Sequence, residues 1–304
     1  MSRIHEALKR AAQERSTRPA AGLEADVAEV AGEIRRSVTE VSEVAGFAVP
    51  SRVIAAGHQA IPLRYEELVK RCAHPEWRLD PLNSVFQNPK IGHSVAERFR
   101  TLRSRLHQTA GTRTLRRLLV TSSVAGEGKT FVASNLAQSI VQQPDLRVLL
   151  VDADMRASRL HATLSAPSGP GLSDYLRGEA DEFEVIQRGM EENLCLIPGG
   201  SQVSNPSELL LSDRMKHLLD LLTPIFDWVI IDSPPAMPVH DASILAGLVD
   251  GVLLVVQAGS THVAIAERTA TELRGKKLLG VVLNQVDRAD SYGHYYYSYQ
   301  AERV

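Results

Sequence analysis

Cysteine is almost missing from this chain of 304 residues: Cys72 and Cys195 stand far apart, without metal-ligand spacing. This leaves no disulfide framework to expect and matches a reducing compartment. Cys195 sits in the apolar run Leu194-Cys195-Leu196-Ile197 and reads as core. No run of about 18 apolar residues occurs, so no membrane-crossing helix is expected. The N-terminus is charged and lacks the apolar stretch of a signal peptide, which predicts a protein that stays inside the cell. An excess of one charge is absent too. A net charge of −2 gives no global pull toward nucleic acid or an anionic membrane. Aromatics make up 5% of the chain, and residues 16–60 hold only Phe47. No internal repeat is visible. The remaining composition, 44% apolar and 23% charged, is that of a globular protein with one or two domains.

What is present is organised around Leu118-Leu119-Val120-Thr121-Ser122-Ser123-Val124-Ala125-Gly126-Glu127-Gly128-Lys129-Thr130. An apolar strand runs into a glycine-bearing loop, and a helix pattern follows with Phe131, Val132, Ala133, Leu136, Ala137 and Ile140. That context supports a phosphate-binding loop, with Ser123 where the first glycine of G-x-x-x-x-G-K-[ST] is usual. Backbone N–H groups of Ser123, Gly126, Glu127, Gly128, Lys129, Thr130 and Phe131 would face phosphate oxygens. Lys129 would reach the β- and γ-phosphates, and the Thr130 hydroxyl would hold Mg²⁺.

Two further strands deliver acids. Val148-Leu149-Leu150-Val151 ends in Asp152-Ala153-Asp154, and Val229-Ile230-Ile231 ends in Asp232. Carboxylates at strand ends collect where open α/β sheets bind ligands. Mg²⁺ uses one or two carboxylates besides phosphate and water oxygens, so one of the three is left for other duties. Taken singly, each aspartate is equally well a cap on its turn.

In chain order, residues 3–14 form an amphipathic pattern with Ile4, Ala7, Leu8, Ala11 and Ala12 on one face and a Glu6–Arg10 pair. Docking on a partner, contact with a membrane surface and packing on its own domain remain open for it. Residues 16 to about 60 read as a weakly ordered linker with a transient helix over 24–44. Pro62 to Pro89, with Tyr65 and Trp77, read as a partly packed lead-in. The folded core is expected from Ile91, with Ser94 capping a helix to about Gln108. Strands are expected at Arg117–Thr121, Arg147–Val151, Leu194–Ile197, Trp228–Ile231, Val252–Val256 and Leu279–Leu283, with helical patterns between most of them. The fold class is therefore α/β, a P-loop NTPase-type, mostly parallel sheet with helices on both faces. The expected division is 1–60 N-terminal helix and linker, 61–90 lead-in, 91–286 P-loop domain and 287–304 flexible tail. That tail, Tyr292-Gly293-His294-Tyr295-Tyr296-Tyr297-Ser298-Tyr299, holds five of the seven tyrosines of the chain.

The segments Ser122–Thr130, Val148–Arg156 and Trp228–Pro235 resemble the Walker A, A′ and B motifs of bacterial tyrosine kinases, the polysaccharide-associated autokinases. Glu97, Arg100 and Arg103 resemble the E-x-x-R-x-x-R helix through which that family assembles rings. Read from spacing alone they are a solvated charged face. The tail resembles the family's autophosphorylated cluster, here Tyr292, Tyr295, Tyr296, Tyr297 and Tyr299; without that likeness it is an aromatic interaction segment. The likeness spans about residues 80–304, and Ser2–Leu8 is similar to the start of exosortase-linked members. Ala125 departs from a frequent proline, and Ala157-Ser158 from a common Arg-Pro.

The resemblance implies ATP and Mg²⁺, with Lys129 and Thr130 on phosphate and metal, Asp154 and Asp232 on metal, and Asp152 accepting the tyrosine proton. It leaves Asn284 to the adenine base or to capping duty, and places Asp241 near the site. It further implies a ring-like homo-oligomer, a separate transmembrane polysaccharide co-polymerase as activator, a tyrosine phosphatase, peripheral attachment to the inner membrane face, and no nucleic acid. Two other functions fit the motifs. A positioning ATPase of the septum- or plasmid-partition (MinD/ParA-like) type needs a signature lysine where Val124 stands. A nucleotide-binding scaffold of an export complex needs no complete set of Lys129, Asp152, Asp154 and Asp232.

Overall fold

The computed structural model describes residues 63–87, 92–111, 114–189, 192–237 and 239–286. The expected helices at 3–14 and 24–44 and the tyrosine cluster lie outside these residues.

Described chain begins with α1 (Tyr65–Arg71) and α2 (Gly92–Ala110), then β1 (Arg117–Ser122), α3 (Lys129–Val141), β2 (Val148–Asp152) and α4 (Leu160–Leu164). It continues through α5 (Leu172–Arg177), α6 (Glu182–Val185), β3 (Gln187–Arg188), β4 (Leu194–Ile197), α7 (Pro206–Leu211) and α8 (Asp213–Leu222). The last elements are β5 (Trp228–Asp232), α9 (Asp241–Ala246), β6 (Gly251–Gln257), α10 (Val263–Arg274) and β7 (Leu278–Asn284). Seven strands form one sheet in the order β3-β4-β2-β5-β1-β6-β7. All neighbours are parallel except β3 and β4.

Near-continuous apolar strands are explained by two cores, one on each face. In β1, Leu119 enters the first core while Leu118 and Val120 enter the second. β2 and β5 divide in the same way: Leu149, Val151, Val229 and Ile231 face the first, and Val148, Leu150, Trp228 and Ile230 the second. A strand covered on both sides has no polar face, so alternation disappears. α8 and α10 bury Met215, Leu218, Leu219 and Leu273 on the first face, and α2 and α3 bury Phe99, Leu106, Leu136 and Ile140 on the second.

Three expectations change. α2 starts at Gly92, so Ser94 lies inside the first turn rather than at the N-cap position. The lead-in is core material: Leu68 joins the first core, and Trp77 and Val85 the second. Packing therefore does not begin at Ile91. β3 was not foreseen, because its two polar residues gain strand geometry only from Cys195 and Leu196 on one side and an Ala73–Gln187 bridge on the other. Among the described residues no helix is long and apolar enough to cross a membrane.

Candidate active site

The central strands β2, β5 and β1 end at one edge, in register: Asp152 pairs with Asp232, and Val120 with Asp232. The loop from Ser123 to Gly128 follows β1 at this edge, so three acids and the loop converge because the strands are parallel. Gly128 lies at φ 88°, and a Cβ there would come within 2.1 Å of Asn284 Nδ2. Only glycine fits that turn into α3.

Lys129 Nζ lies 2.9 Å from Asp154 Oδ2. The Thr130 hydroxyl donates to Asp232 Oδ2 at 2.6 Å, while the buried Asp232 Oδ1 has no partner. Asp152 Oδ2 accepts from the Ser158 hydroxyl at 2.8 Å and from Leu160 N–H at 3.0 Å. Burial, only partly offset by Lys129, pushes the Asp232 carboxyl up to about 7. Burial likewise raises Asp152, against the bonds from Ser158 and Leu160. Burial opposes the charge of Lys129, yet Asp232 and Asp154 hold it above the ordinary lysine value. Three carboxylates with one cation inside a sheet edge make a site that draws positive charge and hard oxygen ligands.

A family model described as an AAA domain matches residues 117–267. The tyrosine-protein kinase YwqD of Bacillus subtilis (strain 168) is 33% identical over 204 residues, 66% of this chain and 86% of the relative. The chain belongs to the bacterial tyrosine-protein kinases. A tyrosine-protein kinase of Salmonella typhi, wzc, is 34% identical over 212 residues, 68% of this chain; the match spans 29% of that longer relative. Among solved structures, the kinase domain of Escherichia coli tyrosine kinase ETK aligns with a TM-score of 0.59 at 34% identity, covering 65% of this chain and 80% of that one.

Not every residue singled out in the kinase faces the edge. Glu127 is buried with its carboxylate turned inward: Oε2 accepts from Val124 N–H at 2.8 Å, and Oε1 from Gln257 N–H at 3.3 Å and from the Thr261 hydroxyl. Its backbone alone is left for phosphate. Asn284 donates to the Glu127 carbonyl at 2.9 Å and Gln285 to the Gly126 carbonyl at 3.1 Å, so the end of β7 latches the loop. Asp241 is buried against Arg156, 2.8 Å away, and Ser207, and so orients the loop after β2. The Ser123 hydroxyl is buried without a partner, and the Phe131 ring packs edge-on against Phe99 at 6.0 Å.

On α2, Arg100 pairs with Glu97, whereas Arg103 donates to the Ser139 carbonyl of α3. The three residues of the charged row thus have different surroundings. Sequence reasoning missed Ser158, Thr261 and Gln285; Ser158 had a visible signal in the departure from Arg-Pro, and the others had none.

Glu127→Ala would leave two N–H groups and a hydroxyl without their acceptor. At about 1–3 kcal/mol per buried unsatisfied group, the expected loss is about 3 kcal/mol, or roughly 6–12 °C of melting temperature. Thermal melting followed by circular dichroism checks this; an unchanged midpoint would detach the loop's stability from this carboxylate.

Proposed function

We propose that this kinase transfers the γ-phosphoryl group of ATP to the tyrosines of its own tail, Tyr292, Tyr295, Tyr296, Tyr297 and Tyr299. The observation that carries the reading is the convergence of Lys129, Asp152, Asp154 and Asp232 on one edge, with the tail beginning three residues after Asn284, which latches the phosphate loop.

The backbone of Ser123 and of Gly126 to Phe131, with the Lys129 ammonium, bind the phosphates, which requires Lys129 to exchange Asp154 for phosphate oxygen. Thr130, Asp154 and Asp232 supply hard oxygen donors suited to Mg²⁺, and the unpartnered Asp232 Oδ1 is a ready ligand atom. Bound there, the ion would neutralise charge on the phosphates. The tyrosine oxygen forms the new P–O bond as the bond to the departing ADP oxygen breaks, and the phenolic proton passes to Asp152. Ser158 and the Leu160 N–H fix that carboxylate in place. Asn284 stays a candidate for contact with adenine at the cost of its bond to Glu127.

Copies assemble into a ring through the helix of Glu97, Arg100 and Arg103, so that one tail enters a neighbour's site. Extended at about 3.3 Å per residue, the tail reaches about 60 Å. The resemblance to polysaccharide-associated autokinases supports control of exopolysaccharide polymerisation and export. It also supports activation by a separate membrane co-polymerase, attachment to the inner membrane face through it, and reversal by a tyrosine phosphatase. The complete residue set and the tail favour this over an idle scaffold, and Val124 tells against a positioning ATPase.

Mixing a tail-deleted active chain with full-length Lys129→Met tests transfer between copies: label is expected only on the tail of the inactive chain. Light scattering should find Lys129→Met the larger species and ATP-treated wild type the smaller. No label on the inactive chain, or one unchanged mass, would sink the transfer-and-release cycle and leave the nucleotide site standing.

A further inference from the structure

A groove of about 820 Å³ lies between α2 and β7, beside the phosphate loop. Leu102, Phe131 and Val282 give it apolar walls, and Arg98 and Arg105 stand exposed on its rim. Helix α2 carries four arginines, Arg98, Arg100, Arg103 and Arg105, against one acid, Glu97. The last lining residue is Val286, after which the 18 residues from Asp287 to Val304 begin.

We propose that this groove docks the chain's own tail, residues 287–304, once its tyrosines carry phosphate. The proposal rests on the tail being a phosphoacceptor. Reach is sufficient, since the 19 residues of α2 span about 28 Å at 1.5 Å each and the tail extends about twice as far. Chemistry selects the modified form. Before modification the tail has Asp287, Asp290 and Glu302 against Arg288 and Arg303, which gives little attraction to a basic helix. Each phosphate adds about −1.5 to −2 charges, and arginine binds phosphate through two parallel N–H bonds. The tyrosine rings meanwhile cover the apolar walls. Residues 3–14 are a poorer occupant, because Arg3, Lys9 and Arg10 outnumber Glu6 and Glu14 and would meet Arg98 and Arg105 with like charge. A second copy presenting its own α2 meets the same repulsion.

Docking within one chain has the advantage of high effective concentration. It covers Glu97, a lining residue that pairs with Arg100, and so withdraws the helix through which copies would assemble. Release of a phosphorylated copy then follows from competition for α2 in addition to repulsion between tails.

The test uses the full-length wild-type chain without nucleotide. Fluorescent synthetic peptides of residues 287–304, phosphorylated on Tyr295, Tyr297 and Tyr299 or on none, are titrated against it by anisotropy. Binding about 10-fold tighter for the phosphorylated peptide is expected, lost in Arg98→Glu with Arg105→Glu and weakened by salt. A photo-cross-linker placed at Ser298 of the peptide should mark α2 or β7 of the wild type, a readout independent of how the double variant folds. Equal affinity of the two peptides, indifference to the charge reversal, or cross-links at the Asp152 edge would overturn the proposal. Displacement by a peptide of residues 1–14 would hand the groove to the N-terminal segment and overturn the proposal, whereas loss of binding as copies associate is the competition for α2 that it expects. Because the phosphates are installed chemically, failure of self-phosphorylation with intact peptide binding would count only against the transfer reading.

Discussion

Lys129→Met is expected to lower incorporation of phosphate into the tail by on the order of 10²–10³-fold, the loss typical when one preorganised charge donor is removed from a transition state. The fold should survive. Lys129 lies among Asp152, Asp154 and Asp232, but its removal is met by proton uptake on carboxylates that burial already raises. Lys129→Arg should fare little better, since a planar fork cannot replace a point charge in a loop closed by Gly126 and Gly128. Intact-mass analysis after incubation with ATP and Mg²⁺ reads the effect, with near-ultraviolet circular dichroism as the control for packing. Wild-type incorporation by the methionine variant would mean that the phosphate loop is not where transfer occurs.

Asp232→Asn should do the opposite to stability and the same to activity. The carboxyl is pushed up to about 7 by burial, so the folded chain keeps a proton that the unfolded chain gives up near pH 4. Between about pH 4 and pH 7 the native state binds more protons, and its stability therefore falls as pH rises, reaching its low level above pH 7. A shift of this size corresponds to about 4 kcal/mol for an isolated group at about 1.4 kcal/mol per pH unit. Lys129 and Asp152 share the titration, so a gain of about 2 kcal/mol for the asparagine variant at pH 8 is the expectation, or about 4–8 °C. Toward pH 4 the advantage should vanish. Melting curves of both proteins at pH 4.5 and pH 8 check the sign, and coincident curves at pH 8 would refute this account of the buried cluster. Kinase activity should meanwhile fall by about 10²-fold, because the carboxylate that burdens the fold is also the proposed ligand for the metal.

The parallel strands were legible in the sequence because their side chains are apolar on both faces, as in Leu118-Leu119-Val120 and Val229-Ile230-Ile231. So was the convergence of Lys129 with the three aspartates, since parallel strands must deliver their ends to one edge. What stayed hidden depends on partners distant in the chain. Glu127 looks like a loop residue facing ligand until Gln257 and Thr261 supply its donors. Asn284 and Gln285 become a latch only when β7 arrives beside the loop. Residues 63–87 suggest only partial packing, since no regular apolar period runs through them, yet Trp77 is buried against the second core. Ser94 satisfies the capping pattern, but the helix gains another turn's start from Gly92.

The two ends of the sheet are not alike. At one, β3 is two residues long, runs antiparallel and has its outer side occupied by Ala73. At the other, β7 is seven residues long, and among the described residues no strand pairs beyond it. Growth of a sheet from molecule to molecule needs two open borders, one to accept and one to offer. This chain has one. Any accidental joining of borders must therefore be a face-off between two β7 strands, a closed pair that consumes both and propagates no further. A short, blocked strand at one margin thus acts as a terminator that limits such joining to two molecules.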